Sequence, residues 1–128
     1  MPTSTQNDMI RDVRIEIIGL PNENKNNFFG FHIHEGSICN EEKGKPAFES
    51  VGNHFNPNQD KHPNHLGDLP LIYSNDGYAY MEFYTSRFTP KDILNRTVII
   101  HKNKDDLMSQ PAGNSGEKIA CGKIVKLN

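Results

Sequence analysis

The 128-residue chain contains no tryptophan and only two cysteines, and apolar residues make up just 34% of it. Such a composition supports one modest core, to which a disulfide and bound metal ions would both add stability. A chain of this length forms one domain more readily than two. We therefore expect a single domain over residues 13–128, preceded by a polar segment, 1–12.

Two further absences limit the partners of the protein. The formal net charge is only −2 and the lysines are dispersed, so no nucleic acid is expected to bind. No run of apolar residues is long enough for a membrane span, and the first ten residues lack the apolar core of a signal peptide. No membrane partner is therefore expected.

The two cysteines, Cys39 and Cys121, are far apart in the sequence, which excludes a short redox loop and a zinc knuckle. One interpretation is a structural disulfide that closes a long loop, and the other is a pair of buried free thiols. A disulfide would favour an extracytoplasmic location, because such bonds persist in oxidising compartments. Nothing else in the chain names a compartment.

Histidine, in contrast, is concentrated in one part of the chain. Five of the six histidines lie within residues 32–68. Side chains two apart on a strand leave from the same face, so His32 and His34 can point at one ion while Ile33 packs the other way. A later His101 and the acids that follow it could close the site. Nitrogen and oxygen ligands without nearby thiolates favour zinc or copper, and the pattern therefore predicts a metal site.

Strand patterns dominate the rest of the sequence. The predicted strands are Val13–Ile18, Phe28–His34, Leu71–Ser74, Tyr78–Thr85, Thr97–His101 and Lys118–Leu127. Residues 35–70 have no regular period, and we interpret them as a long loop organised by metal. Only Pro90–Asn95 suggests a short turn of helix. An all-β sandwich or barrel is the predicted architecture.

Several short motifs, taken together and in order, resemble the copper,zinc superoxide dismutase family. They are GFHIHE at 30–35, GNHFNP at 52–57, HLGDLP at 65–70, IH at 100–101 with DD at 105–106, GNSG at 113–116 and IACG at 119–122. The resemblance runs from about Val13 to Val125. It implies the Greek-key β-sandwich or barrel of that family, here lacking the first two strands.

The resemblance also implies the residues of the site. Copper would be held by His32, His34, His54 and His101, and zinc by His54, His62, His65 and Asp68, so that the ring of His54 is shared. Asp105 would accept hydrogen bonds from His32 and His62 and fix both rings. Cys39 and Cys121 fall where the family has its disulfide.

The implied activity is that of an antioxidant oxidoreductase. Superoxide would be converted to dioxygen and hydrogen peroxide by a copper that changes oxidation state, while zinc serves structure and tuning. The shared His54 would be a proton source in this reaction.

The chain departs from the family in three places. Lys118 stands where the family has an arginine that guides superoxide; lysine keeps the charge but loses the planar fork, and the alternative is a plain surface lysine. Only two residues separate His62 from His65, fewer than is usual. Without the front strands, Val13–Ile18 would be an open edge. We expect it to contact another copy, as in a homo-oligomer, or to be covered by residues 1–10.

These departures favour an alternative function. The chain could be a superoxide dismutase-like protein that binds copper and zinc with little or no dismutase activity, for metal buffering or carriage.

Overall fold

The structure is a computed structural model that describes residues 10–22 and 27–127. Nearly all regular structure in these ranges is strand. The elements are β1 (Arg11–Ile17), β2 (Phe28–Phe29), β3 (Phe31–His34), β4 (Ile72–Tyr73), β5 (Ala79–Thr85), α1 (Pro90–Ile93), β6 (Thr97–His101) and β7 (Lys118–Lys123). The all-β prediction is therefore confirmed.

The first layer is the antiparallel pair of β1 and β5. Apolar and polar residues alternate along both strands, so one face is half-buried and the other is exposed. Ile15 lies opposite Met81 on the inner face, whereas Arg14 and Glu82 lie opposite one another on the outer face and form an ion pair of 2.8 Å. This alternation directs one side of the layer to the core.

The second layer is a three-stranded antiparallel sheet in the order β3, β6, β7. Its central strand, β6, has the predicted bounds, since the β-branched run Thr97–Ile100 suits a strand that is covered on both sides. All four residues of β3 are buried. In the described ranges the two layers do not join into a closed barrel.

The core lies between the layers and draws on both of them. Its buried members are Leu20, Phe29, Phe31, Ile33, Phe55, Leu69, Ile72, Ala79, Phe88 and Ile100. Phe55 and Leu69 come from the long loop after β3, which therefore packs against the sheets.

Some strand bounds differ from the expectation. The predicted strand Phe28–His34 divides at Gly30 into β2, which pairs with β4, and β3, which pairs with β6. A side chain at Gly30 would meet Ser115 Oγ at 2.6 Å, so the close approach of another loop accounts for the glycine at this break. The last strand ends at Lys123 rather than at Leu127.

The ends of the predicted domain are only partly described. The predicted polar segment 1–12 lies outside the described residues up to position 9, and β1 begins two residues before the expected start at Val13. The possible cover of β1 by residues 1–10 likewise falls almost wholly outside them. No helix in the described part of the chain is long and apolar enough to cross a membrane.

Cys39 and Cys121 form a disulfide with their Cα atoms 5.7 Å apart. This excludes the alternative of two free thiols. The bond joins the start of the long loop to β7, 82 residues further along the chain.

Candidate metal centre

Two segments of the long loop lie beside β3 and are held there by main-chain hydrogen bonds. The N–H of Phe55 donates to the carbonyl of Ile33 at 2.8 Å, and the N–H of Ile33 donates to the carbonyl of Gly67 at 2.8 Å. His54 and Asp68, next to these contacts, are thereby brought to the two histidines of β3. The long loop is thus organised by the sheet as well as by its histidines.

The four histidines predicted to hold copper meet in one buried group. Their candidate ligand atoms all lie within 4.8 Å of one another, and each residue is at most 4% exposed. The group consists of His32, His34, His54 and His101.

Main-chain carbonyls determine which ring nitrogens of this group are available. His34 Nδ1 lies 2.9 Å from the carbonyl oxygen of Gly52, and His101 Nδ1 lies 3.2 Å from that of Gly116. A carbonyl only accepts hydrogen bonds, so each Nδ1 carries the proton and donates it. The two Nε2 atoms lie 3.3 Å apart and are unprotonated, so their lone pairs are available to bind a metal ion.

The residues predicted to hold zinc form a second group around Asp68. Oδ1 of Asp68 lies 2.9 Å from Nδ1 of His54, and Oδ2 lies 3.1 Å from Nδ1 of His62 and from Nδ1 of His65. Ligand atoms of a tetrahedral zinc ion are about 3.3 Å apart. The short spacing between His62 and His65 therefore does not prevent the three nitrogens from converging on one carboxylate.

His54 belongs to both groups. Its Nδ1 faces Asp68, while its Nε2 is buried without a hydrogen-bond partner among the described residues. The Nδ1 atoms of His32 and His62 are also buried without a hydrogen bond there, since the 3.1 Å contact of His62 Nδ1 with Asp68 lacks hydrogen-bond geometry. A buried nitrogen without a hydrogen bond costs free energy unless something else binds it. Three such nitrogens in two adjacent donor groups therefore indicate ligands for two neighbouring metal ions. The donor set fits zinc and copper.

Asp105 connects the two groups, because its carboxylate contacts one histidine of each. Its carboxylate oxygens lie 2.7 Å from Nε2 of His32 and 2.7 Å from Nε2 of His62, and it accepts the N–H of Leu107. Burial would raise the pKa of Asp105, but these hydrogen bonds outweigh it and hold the pKa below its ordinary value. The group is therefore a carboxylate that fixes both rings with Nδ1 turned to the cluster.

Burial also sets the charge of three histidines in the four-histidine group. It lowers the pKa of His34 to about 2 and that of His101 to about 3, with neighbouring histidines adding to the effect. The pKa of His32 is lowered for the same main reason. All three rings are neutral near pH 7, which is the state that binds metal.

Lys118 lies across the ladder from His101 at the start of β7, beside a β-bulge. It is half-buried, and its positive charge contributes to the lowered pKa of His101. A hollow of about 300 Å³ opens beside His101, between Ser109 and Gly116. The charge of Lys118 therefore acts on His101, whose imidazole borders this opening.

Three residues that support the site were missed from the sequence. Gln110 accepts the N–H of His62 at 3.0 Å and donates to its carbonyl at 2.7 Å, and Arg87 donates to the carbonyls of Asn64 and His65. Such contacts between a side chain and a distant main chain leave no periodic signal. The third, Gly113, stood within a noted motif, but its role depends on its position beside Asp105.

The layers and the cluster define a class: a β-sandwich protein with buried histidine and carboxylate ligands suited to two adjacent metal ions. The family model for copper/zinc superoxide dismutase matches residues 2–124. The chain belongs to the copper/zinc superoxide dismutase family.

Individual relatives agree with this assignment. The Cu-Zn superoxide dismutase of Deinococcus radiodurans is 36% identical over 133 residues, an alignment that covers 91% of this chain and 71% of the relative. Superoxide dismutase [Cu-Zn] 2 of Aquifex aeolicus is 37% identical over 127 residues, covering 88% and 70%. The recognition made from the motifs is confirmed.

Solved structures confirm the fold class. The superoxide dismutase-like protein of Bacillus subtilis superposes with a TM-score of 0.71 at 32% identity, over 89% of this chain and 81% of that one. The Cu/Zn superoxide dismutase of Brucella abortus gives 0.70 at 27% identity, over 95% and 84%.

Proposed function

We propose that this protein, acting through the single domain at 13–128, dismutates superoxide: two superoxide anions and two protons become one dioxygen and one hydrogen peroxide. The observation that carries the proposal is the position of His54, whose two ring nitrogens face two different donor groups. Copper would be held by His32, His34, His54 and His101, and zinc by His54, His62, His65 and Asp68.

Copper would supply the one-electron change in each half-reaction, and zinc the charge that helps His54 to lose its second ring proton. The residues around the site supply the rest. His54 Nε2 has no hydrogen-bond partner among the described residues, so its lone pair could take up a proton, which would then be given to the reduced anion. Asp105 keeps His32 and His62 oriented through its two short contacts.

Lys118 would attract superoxide towards the opening beside His101. Its charge is retained relative to the arginine expected at this position, but an ammonium group is a point charge without the two-pronged geometry of a guanidinium. We therefore propose that Lys118 attracts the superoxide anion but does not orient it.

A second function is favoured by Lys118 and by one relative. A protein of Bacillus subtilis that is 34% identical over 114 residues is named superoxide dismutase-like. In this alternative the chain binds copper and zinc for buffering or carriage and turns over little superoxide. The complete set of predicted ligands supports the enzyme instead, since a metal carrier would not need one histidine between two donor groups.

The disulfide supports action in an oxidising, extracytoplasmic compartment. Neither nucleic acid nor membrane forms part of the proposal.

The two functions are separated by metal content and superoxide decay. The metal-free protein is reconstituted with copper and zinc, the bound metals are quantified, and superoxide decay is followed by stopped flow in the wild type and in Lys118→Arg and Lys118→Met. We expect one copper and one zinc per chain and decay that is fast in the wild type, faster in Lys118→Arg and slower in Lys118→Met.

Lys123→Met is the matched control, because it removes the same charge from the same strand at the end away from His101. It should leave the rate unchanged. Full metal content without accelerated decay, in both the wild type and Lys118→Arg, would establish the metal-binding alternative.

A further inference from the structure

A hollow of about 770 Å³ opens at the surface between the long loop after β3 and the short helix α1. Its lining includes three basic residues, Arg87, Lys91 and Arg96, and one acidic residue, Asp92. The predicted copper and zinc ligands, all of which are described, do not line it. The hollow is therefore separate from the metal centre and carries an excess of two positive charges.

Arg96 is held beside this hollow by contacts that do not neutralise its charge. Its guanidinium carbon lies 3.8 Å from the centre of the Phe55 ring. Its Nε and Nη1 atoms donate to the main-chain carbonyls of Asp92 and Glu35 at 3.0 and 3.1 Å. A guanidinium has five N–H groups, so three of them have no acceptor among the described residues.

Arg87 is fixed in the same manner. Its Nη2 donates to the carbonyls of Asn64 and His65 at 2.8 and 3.1 Å, which again leaves three N–H groups without an acceptor in the described part of the chain. The ion pairs found there involve neither arginine, nor the exposed Lys91. Two guanidinium groups are thus positioned in advance for an anion without being paired to a carboxylate.

We propose that this hollow binds a small soluble phosphomonoester. Such an ester carries a charge of about −1.5 to −2 at pH 7, which matches the excess of two positive charges, and the planar guanidinium groups suit phosphate oxygens. Leu66 and Pro57 also line the hollow and offer apolar contact to the rest of the ester. The proposal is independent of whether the metal centre turns over superoxide.

Phenyl phosphate is the probe, added to the metal-loaded protein with any copper reduced so that no bound ion is paramagnetic. In ¹H–¹⁵N spectra the Nε–H signals of Arg87 and Arg96 should shift and saturate. Inorganic phosphate lacks the apolar part and should bind more weakly. Benzoate, a monoanion, should bind about tenfold more weakly, because it loses one charge-assisted contact.

Substitutions in the hollow should change the affinity in both directions. Lys91→Met should weaken phenyl phosphate binding about threefold, as expected for one exposed charge. Arg87→Lys keeps the charge but loses the planar fork, and should weaken it about tenfold. Lys43→Met is the matched control, because Lys43 is exposed and lines no part of the hollow.

Asp92→Asn should strengthen binding about threefold, since it removes the one negative charge in the lining. The N–H of Thr89 donates to Asp92 Oδ2 at 2.8 Å, and the side-chain oxygen of asparagine can accept the same bond. The cap of α1 is therefore kept. A folding defect cannot produce a gain of affinity.

Two further arms locate the site and the source of the phosphate group. Lys118→Met should leave the shifts of Arg87 and Arg96 unchanged, which separates this site from the opening beside His101. Vesicles that contain phosphatidic acid present a phosphomonoester on a membrane, and the protein should not sediment with them.

Four results would overturn the proposal. They are shifts that occur at His101 and disappear in Lys118→Met, benzoate binding as tight as that of phenyl phosphate, an equal loss of affinity in Lys91→Met and Lys43→Met, and sedimentation with the vesicles that Lys91→Met abolishes.

Discussion

Gln110 contacts both main-chain groups of His62 through its side-chain amide, across 48 positions of sequence. The ring of His62 is fixed separately, since its Nε2 lies 2.7 Å from Asp105. The backbone and the imidazole of this predicted zinc ligand are therefore positioned by two different residues of one loop.

Replacement of Gln110 should weaken zinc binding while leaving copper binding nearly intact. Gln110→Ala removes both contacts to His62 and should lower zinc affinity about tenfold, at the low end for residues that orient ligands. Competition with a chromophoric zinc chelator measures this. Met108→Ala, an exposed neighbour on the same loop, is the control, and an equal loss in both variants would show that Gln110 has no special role.

Gly113 leaves the space that Asp105 and His62 occupy. A Cβ at Gly113 would collide with the carboxylate of Asp105 and with Nε2 of His62. Gly113→Ala should therefore displace Asp105 and cost about 1–3 kcal/mol of unfolding free energy, with loss of zinc affinity.

Gly44→Ala is a matched control for this substitution. Gly44 has a φ of +85° and Gly113 a φ of +74°, so both variants carry similar backbone strain, but nothing lies near a Cβ at Gly44. Urea unfolding and the chelator assay should separate the two. Identical behaviour would assign the effect to backbone strain alone.

The metal-free protein should lose stability as the pH falls from about 6.5. The pKa values of His34 and His101, about 2 and about 3, lie below the value of 6.5 expected when unfolded, so the unfolded chain binds more protons between these limits. Stability is then complete above pH 6.5 and falls by about 2 kcal/mol per histidine between pH 7 and pH 5. Urea unfolding of the chelator-treated protein at both pH values checks this, and His34→Asn should reduce the slope, because one of the three histidines with a lowered pKa is removed. An unchanged midpoint would contradict it.

Reduction of the disulfide should destabilise the fold substantially. Cys39 and Cys121 close a loop of 82 residues, for which the chain-entropy model gives about 4.5 kcal/mol. Urea unfolding with and without a phosphine reductant measures the difference. The double variant Cys39→Ser, Cys121→Ser should match the reduced wild type and should not respond to reductant.

Strands were predictable where the side-chain pattern alone determines them. Thr97–His101 was found with its observed bounds because β-branched residues follow one another there. The predicted strand Tyr78–Thr85 differs from β5 only in its first residue. The break at Gly30 was missed because it arises from a change of pairing partner, which is a property of the assembled sheets.

The candidate ligands could be named from the sequence, but their supports could not. Histidines two apart on a strand and the family motifs identify His32 and His34, whereas the contact of Arg87 with the carbonyl of His65 depends on two distant loops. A side chain that binds a remote main-chain group has no required neighbours in sequence, and so no pattern reveals it.

The main-chain ladder between β3 and the loop segment at 53–55 has a consequence for metal exchange. The N–H of Glu35 donates to the carbonyl of Asn53 at 2.9 Å, and the N–H of Phe55 donates to the carbonyl of Ile33 at 2.8 Å. These main-chain hydrogen bonds hold His34 and His54 close together. Such a framework would lower the cost of ordering the two ligands each time an ion binds.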